Sequence, residues 1–299
     1  MTDAASKAAT RAVFLDYDQA ALDKAYDQRA WAANAEQTMA RCREAGDRIR
    51  ATLPMRADVR YGDGPDETLD IFPCNVAGAP VHVHIHGGAW RIQSKHDASF
   101  LAPAMTAMGA HFVAIDFTNL PACRMTDMAD QIARALVWVH RHVAEFGGDP
   151  DSILLSGHSS GAHLAAVMLT FDWPRLGCPA DFIKAALCVS GAYDLGPVLL
   201  SARRSYIELT AGEAERLSPS RHASRINCPV TLVYGEYESP EFIRQAQSFS
   251  RSLNAAGRKS ELILAPALDH FAINEALGLP GSLPHQAAAR LAQRLKDPV

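Results

Sequence analysis

The sequence predicts an α/β fold: a mostly parallel central sheet with helices on both faces and an N-terminal helical extension. Three observations predict it. Short β-type apolar runs alternate with segments of helical period from about residue 80 to the end. A Gly-x-Ser-x-Gly pentapeptide, Gly157–Gly161, stands between one such run and a helical pattern. Residues from about 18 to 50 are rich in Ala, Gln, Glu and Arg and contain no Pro, which reads as one or two amphipathic helices. Strand–helix alternation demands crossover connections, and these put helices on the faces of a parallel sheet.

The elements follow in order. Val81-His82-Val83-His84-Ile85-His86 is a strand ending at Gly87-Gly88, and residues 111–117 are another. Met128, Ile132, Leu136, Val139, Val143 and Phe146 recur at helical spacing, and Gly147-Gly148-Asp149-Pro150 stops that helix. Ile153-Leu154-Leu155 is a strand, and Ala162–Leu169 a helix after the pentapeptide. Residues 185–189 and 230–234 are two more strands. Residues 239–256 read as a helix with Gly257 at its C-terminal end, 261–264 as the last strand and 285–296 as a closing helix. With no linker, repeat or low-complexity segment, residues 1–55 are expected to form a helical extension covering the site and 56–299 the catalytic domain.

Composition excludes several classes. The chain is 48% hydrophobic and 21% charged with net charge −4, ordinary for a globular protein. No Lys/Arg block points to nucleic acid, and no apolar run approaches the roughly 20 residues a membrane helix needs. The first residues lack the apolar stretch of a secretory signal. Six cysteines are scattered and none forms C-x-x-C, so reduced thiols in a cytoplasmic protein are expected, not disulfides or zinc. The expected partner is a small molecule, with room for a homodimer. His82, His84 and His86 share one face of their strand. No carboxylate or Cys cluster accompanies them, so neither metal nor cofactor is expected.

A strand, Gly-x-Ser-x-Gly and then a helix is the context of a nucleophile elbow, in which a strained turn lifts Ser159 clear of the sheet. Serine is a weak nucleophile and needs a base, usually a His oriented by a carboxylate. In this context the chain order is Ser, acid, His. His270 follows the last predicted strand, where such a base belongs. His222 and His285 read as surface residues, and His158 and His163 as local packing or hydrogen-bonding residues. The loop Gly235-Glu236-Tyr237-Glu238-Ser239-Pro240 contains no Asp, so the acid is Glu236 or Glu238. Asp194 and Asp269 are less well placed. Backbone amides around Gly87, Gly88 and Ala89, with that of Ser160, suit an oxyanion hole, because glycines let a backbone approach a substrate oxygen.

Together these residues resemble the α/β-hydrolase superfamily and, within it, the kynurenine formamidase (arylformamidase) family. The similarity covers most of the chain. It includes Leu22–Tyr26 with Arg29, the His86-Gly87-Gly88-Ala89-Trp90 signature, residues 145–166, residues 190–195, residues 217–219 and Glu238-Ser239-Pro240-Glu241-Phe242. The family typically has Asp-Ser-Pro-Glu-Phe at the last segment, so the resemblance selects Glu238 as the acid, with Glu in place of Asp. It implies a cofactor-independent serine hydrolase acting on N-formylkynurenine-like formamides. Three departures bear on the substrate: Ala89 stands where an aromatic is common, Phe117-Thr118-Asn119-Leu120-Pro121 replaces a Tyr-x-x-Ala-Pro turn, and Arg203-Arg204 lies where Asn is common. Trp90, Phe117 and Arg204 are the expected substrate-binding residues, with Arg203 or Arg204 a candidate partner for a substrate carboxylate. The alternatives are a carboxylesterase or amidase for another small acyl substrate and, more remotely, a non-catalytic binding protein on a hydrolase scaffold.

Overall fold

Strand patterning in the sequence becomes one eight-stranded sheet in the computed structural model, which describes residues 11–296. Residues 1–10 and 297–299, at the two ends of the expected units, lie outside the described residues. The strands are β1 Arg56–Arg60, β2 Thr68–Phe72, β3 Ala79–Ile85, β4 His111–Ile115, β5 Gly148–His158, β6 Ile183–Val189, β7 Val230–Gly235 and β8 Ser260–Ala265. Their order is β1-β2-β4-β3-β5-β6-β7-β8. The pairings of β2 with β1 and β4 are antiparallel, and all others are parallel.

Residues of β2, β3, β4 and β7 are all buried, as a sheet covered on both faces requires. The helix Met125–His142 puts Met128, Ile132, Leu136 and Val139 into the core on one face. It ends through a short turn at Gly147, whose φ of +89° a glycine adopts without strain. The helix Pro240–Ala255 is capped by Ser239, whose hydroxyl accepts from Phe242 N, and is followed by Gly257 at φ +68°.

The sequence reading leaves β1, β2 and the helical stretch over residues 95–107 unassigned. Arg56-Ala-Asp-Val-Arg60 carries too few apolar residues to announce a strand. The N-terminal segment forms helices Gln19–Tyr26 and Ala35–Thr52 with a short turn, Gln28–Trp31, between them. The first packs on the helix Pro240–Ala255 and the second on residues 95–101. Gly46 sits so close to residues 95–101 that a Cβ there would lie 2.8 Å from the His96 carbonyl oxygen.

The order β4-β3-β5 makes the chain leave β3 in one direction and return on its other side. A crevice opens at such a switch point beyond the C-terminal ends of the strands. The loops after β3 and β5 meet there.

Candidate active site

Ser159 occupies the turn between β5 and the helix Ser160–Met168, at φ 55° and ψ −121°. A non-glycine residue holds such a conformation only when its surroundings impose it. The two flanking glycines explain how. A Cβ on Gly157 would stand 2.2 Å from the Gly161 carbonyl oxygen, and one on Gly161 would stand 2.1 Å from that of Ile85. The Ser159 amide donates to the Val189 carbonyl at 2.9 Å, tying the turn to β6.

His270, on the loop after β8, lies with Nε2 2.8 Å from Ser159 Oγ. Behind it stands Glu238, on the loop after β7, with Oε2 3.7 Å from His270 Nδ1. That separation suits an ion pair and exceeds a hydrogen bond. Both atoms are buried and have no other partner. The Glu238 side chain is pinned through its other oxygen, which accepts from the Ser190 hydroxyl and from Gly235 N at 3.1 Å. Ser190 itself holds a φ of 58°. The two loops are fastened backbone to backbone: Tyr237 N donates to the Leu268 carbonyl, and a Cβ on Gly235 would lie 2.3 Å from that oxygen.

Of the two glutamates left open by the residues alone, Glu238 faces His270. Glu236 is exposed and accepts from Ala267 N at 2.8 Å, a loop tether. Asp269 caps the backbone of Phe271 and Ala272, and Asp194 caps Gly196 and pairs with Arg221. His222 bonds the Glu215 carbonyl, and Gly281 N donates to His285. His158 reaches the His270 carbonyl at 2.8 Å, and burial holds its pKa well below 6.5. His163 accepts from Trp90 Nε1 at 3.2 Å and donates to the Leu217 carbonyl at 2.7 Å; burial lowers its pKa to about 4. Both are neutral scaffolding. His82 and His84 converge on Ser156, and among the described residues no group of three His, Cys, Asp or Glu could hold a metal.

The loop after β3 bends sharply. Gly88 has φ +98° and Ala89 φ 55°, and a Cβ on Gly88 would stand 1.9 Å from the Ile92 carbonyl oxygen. Gly88 and Ala89 line a cavity of about 100 Å³ together with Ser159, His158 and His270. Ser160 supplies the first amide of its helix, one that no intrahelical acceptor satisfies.

The expected substrate-binding residues divide differently. Trp90 is buried against His163, and Phe117 is buried with its ring stacked on His86 at 4.3 Å. Arg204 is exposed. None of these three lines the cavity. Its wall includes Arg203, and Tyr26, Gln28, Thr38, Met39 and Cys42 from the N-terminal segment. Residue patterns miss the N-terminal ones because no local signal tells which residues of a distant helix face a cleft. Burial raises the Cys42 thiol pKa to about 12, so it is a neutral wall group.

A strained Ser at a strand-to-helix turn, a His within bonding distance and a buried carboxylate behind it, all on an open α/β sheet, define an α/β-hydrolase. Known proteins agree. The BD-FAE family model matches residues 69–173 and the Carboxylesterase family model residues 127–229. The kynurenine formamidase of Danio rerio is 34% identical over 238 residues, spanning 77% of this chain and 80% of that protein. That of Salmo salar is 32% identical over 243 residues, spanning 79% and 81%. Among solved structures, a protein of Silicibacter sp. TM1040 provisionally termed a thioesterase superposes with a TM-score of 0.79 at 26% identity, covering 91% of this chain and 98% of that one. This chain belongs to the kynurenine formamidase family. Among its described residues, no helix is long and apolar enough to cross a membrane.

Proposed function

We propose that the protein is an arylformamidase that cleaves N-formylkynurenine-like formamides through an acyl-enzyme. The observation that carries this reading is the 2.8 Å contact of His270 Nε2 with Ser159 Oγ at the cavity wall, backed by buried Glu238. Ser159 attacks the formyl carbonyl while His270 takes its proton. Amides of Gly87, Gly88, Ala89 and Ser160 bind the oxygen as it becomes negative. His270 then protonates the leaving arylamine, and a water activated by the same imidazole releases formate. Glu238 holds the imidazole in the correct tautomer and stabilises its charged form. At 3.7 Å it is close enough to attract His270 as that ring becomes positive.

A narrow cavity suits a one-carbon acyl group. Residues 1–55 are the extension, of which residues 26–42 supply wall residues, and 56–299 the catalytic domain. A cytoplasmic setting is supported by six free cysteines, and the proposed partner is the small-molecule substrate. Sedimentation tests for a homodimer. The second reading, an esterase or amidase for another small acyl substrate, draws on the Carboxylesterase family match. The deciding measurement is kcat/KM for N-formylkynurenine against p-nitrophenyl acetate and an N-acetyl arylamine. Turnover of the ester or acetamide with none of N-formylkynurenine overturns the formamidase reading. Failure to react with a fluorophosphonate would leave only a binding protein.

A further inference from the structure

The cavity wall holds a cation that has no counterion among the described residues. Arg203 is half-buried, and its Nε and Nη2 donate to the Tyr26 carbonyl at 3.2 and 2.6 Å. Its guanidinium lies 5.8 Å from the centre of the Tyr26 ring and 5.6 Å from that of Trp90. Aromatic faces and one carbonyl therefore fix its orientation. Among the described residues no carboxylate stands within ion-pair distance of it. The other charges of the wall are spoken for. Arg29 pairs with Glu36 at 2.6 Å, and Asp97 pairs with Arg43 at 3.0 Å. Asp27 is exposed and caps its own turn by accepting from Arg29 N.

A guanidinium presents five N–H donors in a rigid fork. Here a single backbone carbonyl takes up two of its nitrogens. Partial burial weakens solvent screening, so the unspent donors attract an anion more strongly than at an open surface. The shape matched by a planar fork is a carboxylate.

We propose that Arg203 binds a carboxylate on the substrate, making this enzyme selective for acidic arylamides and aryl esters. Resting on the formamidase reading, the carboxylate belongs to the leaving arylamine, because a formyl group has no room for one.

The test uses matched pairs: phenyl acetate with 3-acetoxybenzoate, and formanilide with its carboxylated counterpart. In the native enzyme the acidic member of each pair should have the larger kcat/KM, by about ten- to a hundredfold, the range of a charge-assisted hydrogen bond. Arg203→Met should abolish that ratio, chiefly by raising KM for the acid. Arg203→Lys should keep part of it, and Arg204→Met should leave it as it is. An Arg203 that only props up Tyr26 would lower both members equally on substitution, which overturns the proposal. So would a native enzyme without preference. Formamides left uncut while the esters keep their acid preference would sink the formamidase reading and sustain the carboxylate site. Formamides cut with no acid preference would do the reverse.

Discussion

Two serines three residues apart each bond a histidine, and the contrast between them shows what the proposed nucleophile has that a buried serine lacks. Ser156 lies 2.6 Å from His82 Nε2 and 2.8 Å from His84 Nδ1. Ser159 lies 2.8 Å from His270 Nε2. Distance does not separate them. Ser156 is fully buried within regular strand β5, its two imidazoles pack against Phe112, and it lines no part of the cavity at Ser159. With one O–H, it donates to one imidazole and accepts from the other, which closes the group on itself. Burial pushes the pKa of His82 down to about 3 and that of His84 well below 6.5, so neither can take up a proton cheaply. Ser159 sits where β5 has ended, on a backbone bent to φ 55°, facing a cavity. Its histidine has a carboxylate behind it. The strand buries one hydroxyl, and the turn presents the other.

The largest expected effect lies on this contrast. Ser159→Ala should lower kcat at least about a thousandfold, since losing the nucleophile leaves only binding and oxyanion stabilisation. Ser156→Ala should leave turnover within a few-fold of native but cost about 1–3 kcal/mol of stability in urea melts, because two buried imidazoles lose a partner. Ser160→Ala should be mild, because its proposed part is a backbone amide. An inactive yet folded Ser156→Ala would erase the distinction.

Next comes the acid. Glu238→Gln should reduce kcat by about a hundredfold or more with the fold intact on circular dichroism, because an amide cannot stabilise an imidazolium. Glu236→Gln should cost less than about threefold, since that carboxylate only tethers a loop. Glu238→Asp should keep part of the activity. Equal losses at 236 and 238 would contradict the assignment.

A smaller loss is expected at the oxyanion loop. Gly88→Val should depress kcat by about ten- to a hundredfold and disturb KM less, because these amides act on charge that develops in the transition state. A change confined to KM would reduce the loop to a pocket wall.

The mildest prediction sharpens the contrast from the buried side. His82, His84, His158 and His163 are held neutral by burial. The unfolded chain binds protons on them below about pH 6.5, while the folded chain resists until about pH 4 for His163 and about pH 3 for His82. Their stabilisation is therefore complete above pH 6.5 and declines as pH falls, by up to about 1.4 kcal/mol per pH unit for each histidine. Urea midpoints at pH 7, 6 and 5 should fall in that order, and His163→Gln should flatten the slope. A flat profile would mean that these groups stay solvated.

Much of this was legible in the chain. The proposed nucleophile and base and the glycines of both turns announce themselves because each depends on local backbone geometry. Positive φ, close approach and strand-to-helix reversal demand particular residues at fixed spacing. The central parallel strands were legible for the same reason, as apolar runs with stops. Edge strand β1 was not, because its solvent contact permits a mixed composition, and buried β2 was not, because a five-residue segment carrying Thr68 and Asp70 makes no apolar run.

By itself the sequence supplied the proposed catalytic frame: Ser159, His270, a glutamate in the loop after β7 and a glycine-opened loop after β3. Only tertiary structure decided which residues complete it. Glu238 faces His270 because the loops after β7 and β8 are bonded to one another. Trp90 and Phe117 went into the core, and of the two arginines left open as carboxylate partners Arg203 lines the cavity wall while Arg204 is exposed. Side-chain direction at a cleft is set by packing between segments far apart in the chain, such as Tyr26 against Arg203 across 177 residues, and no local pattern encodes it.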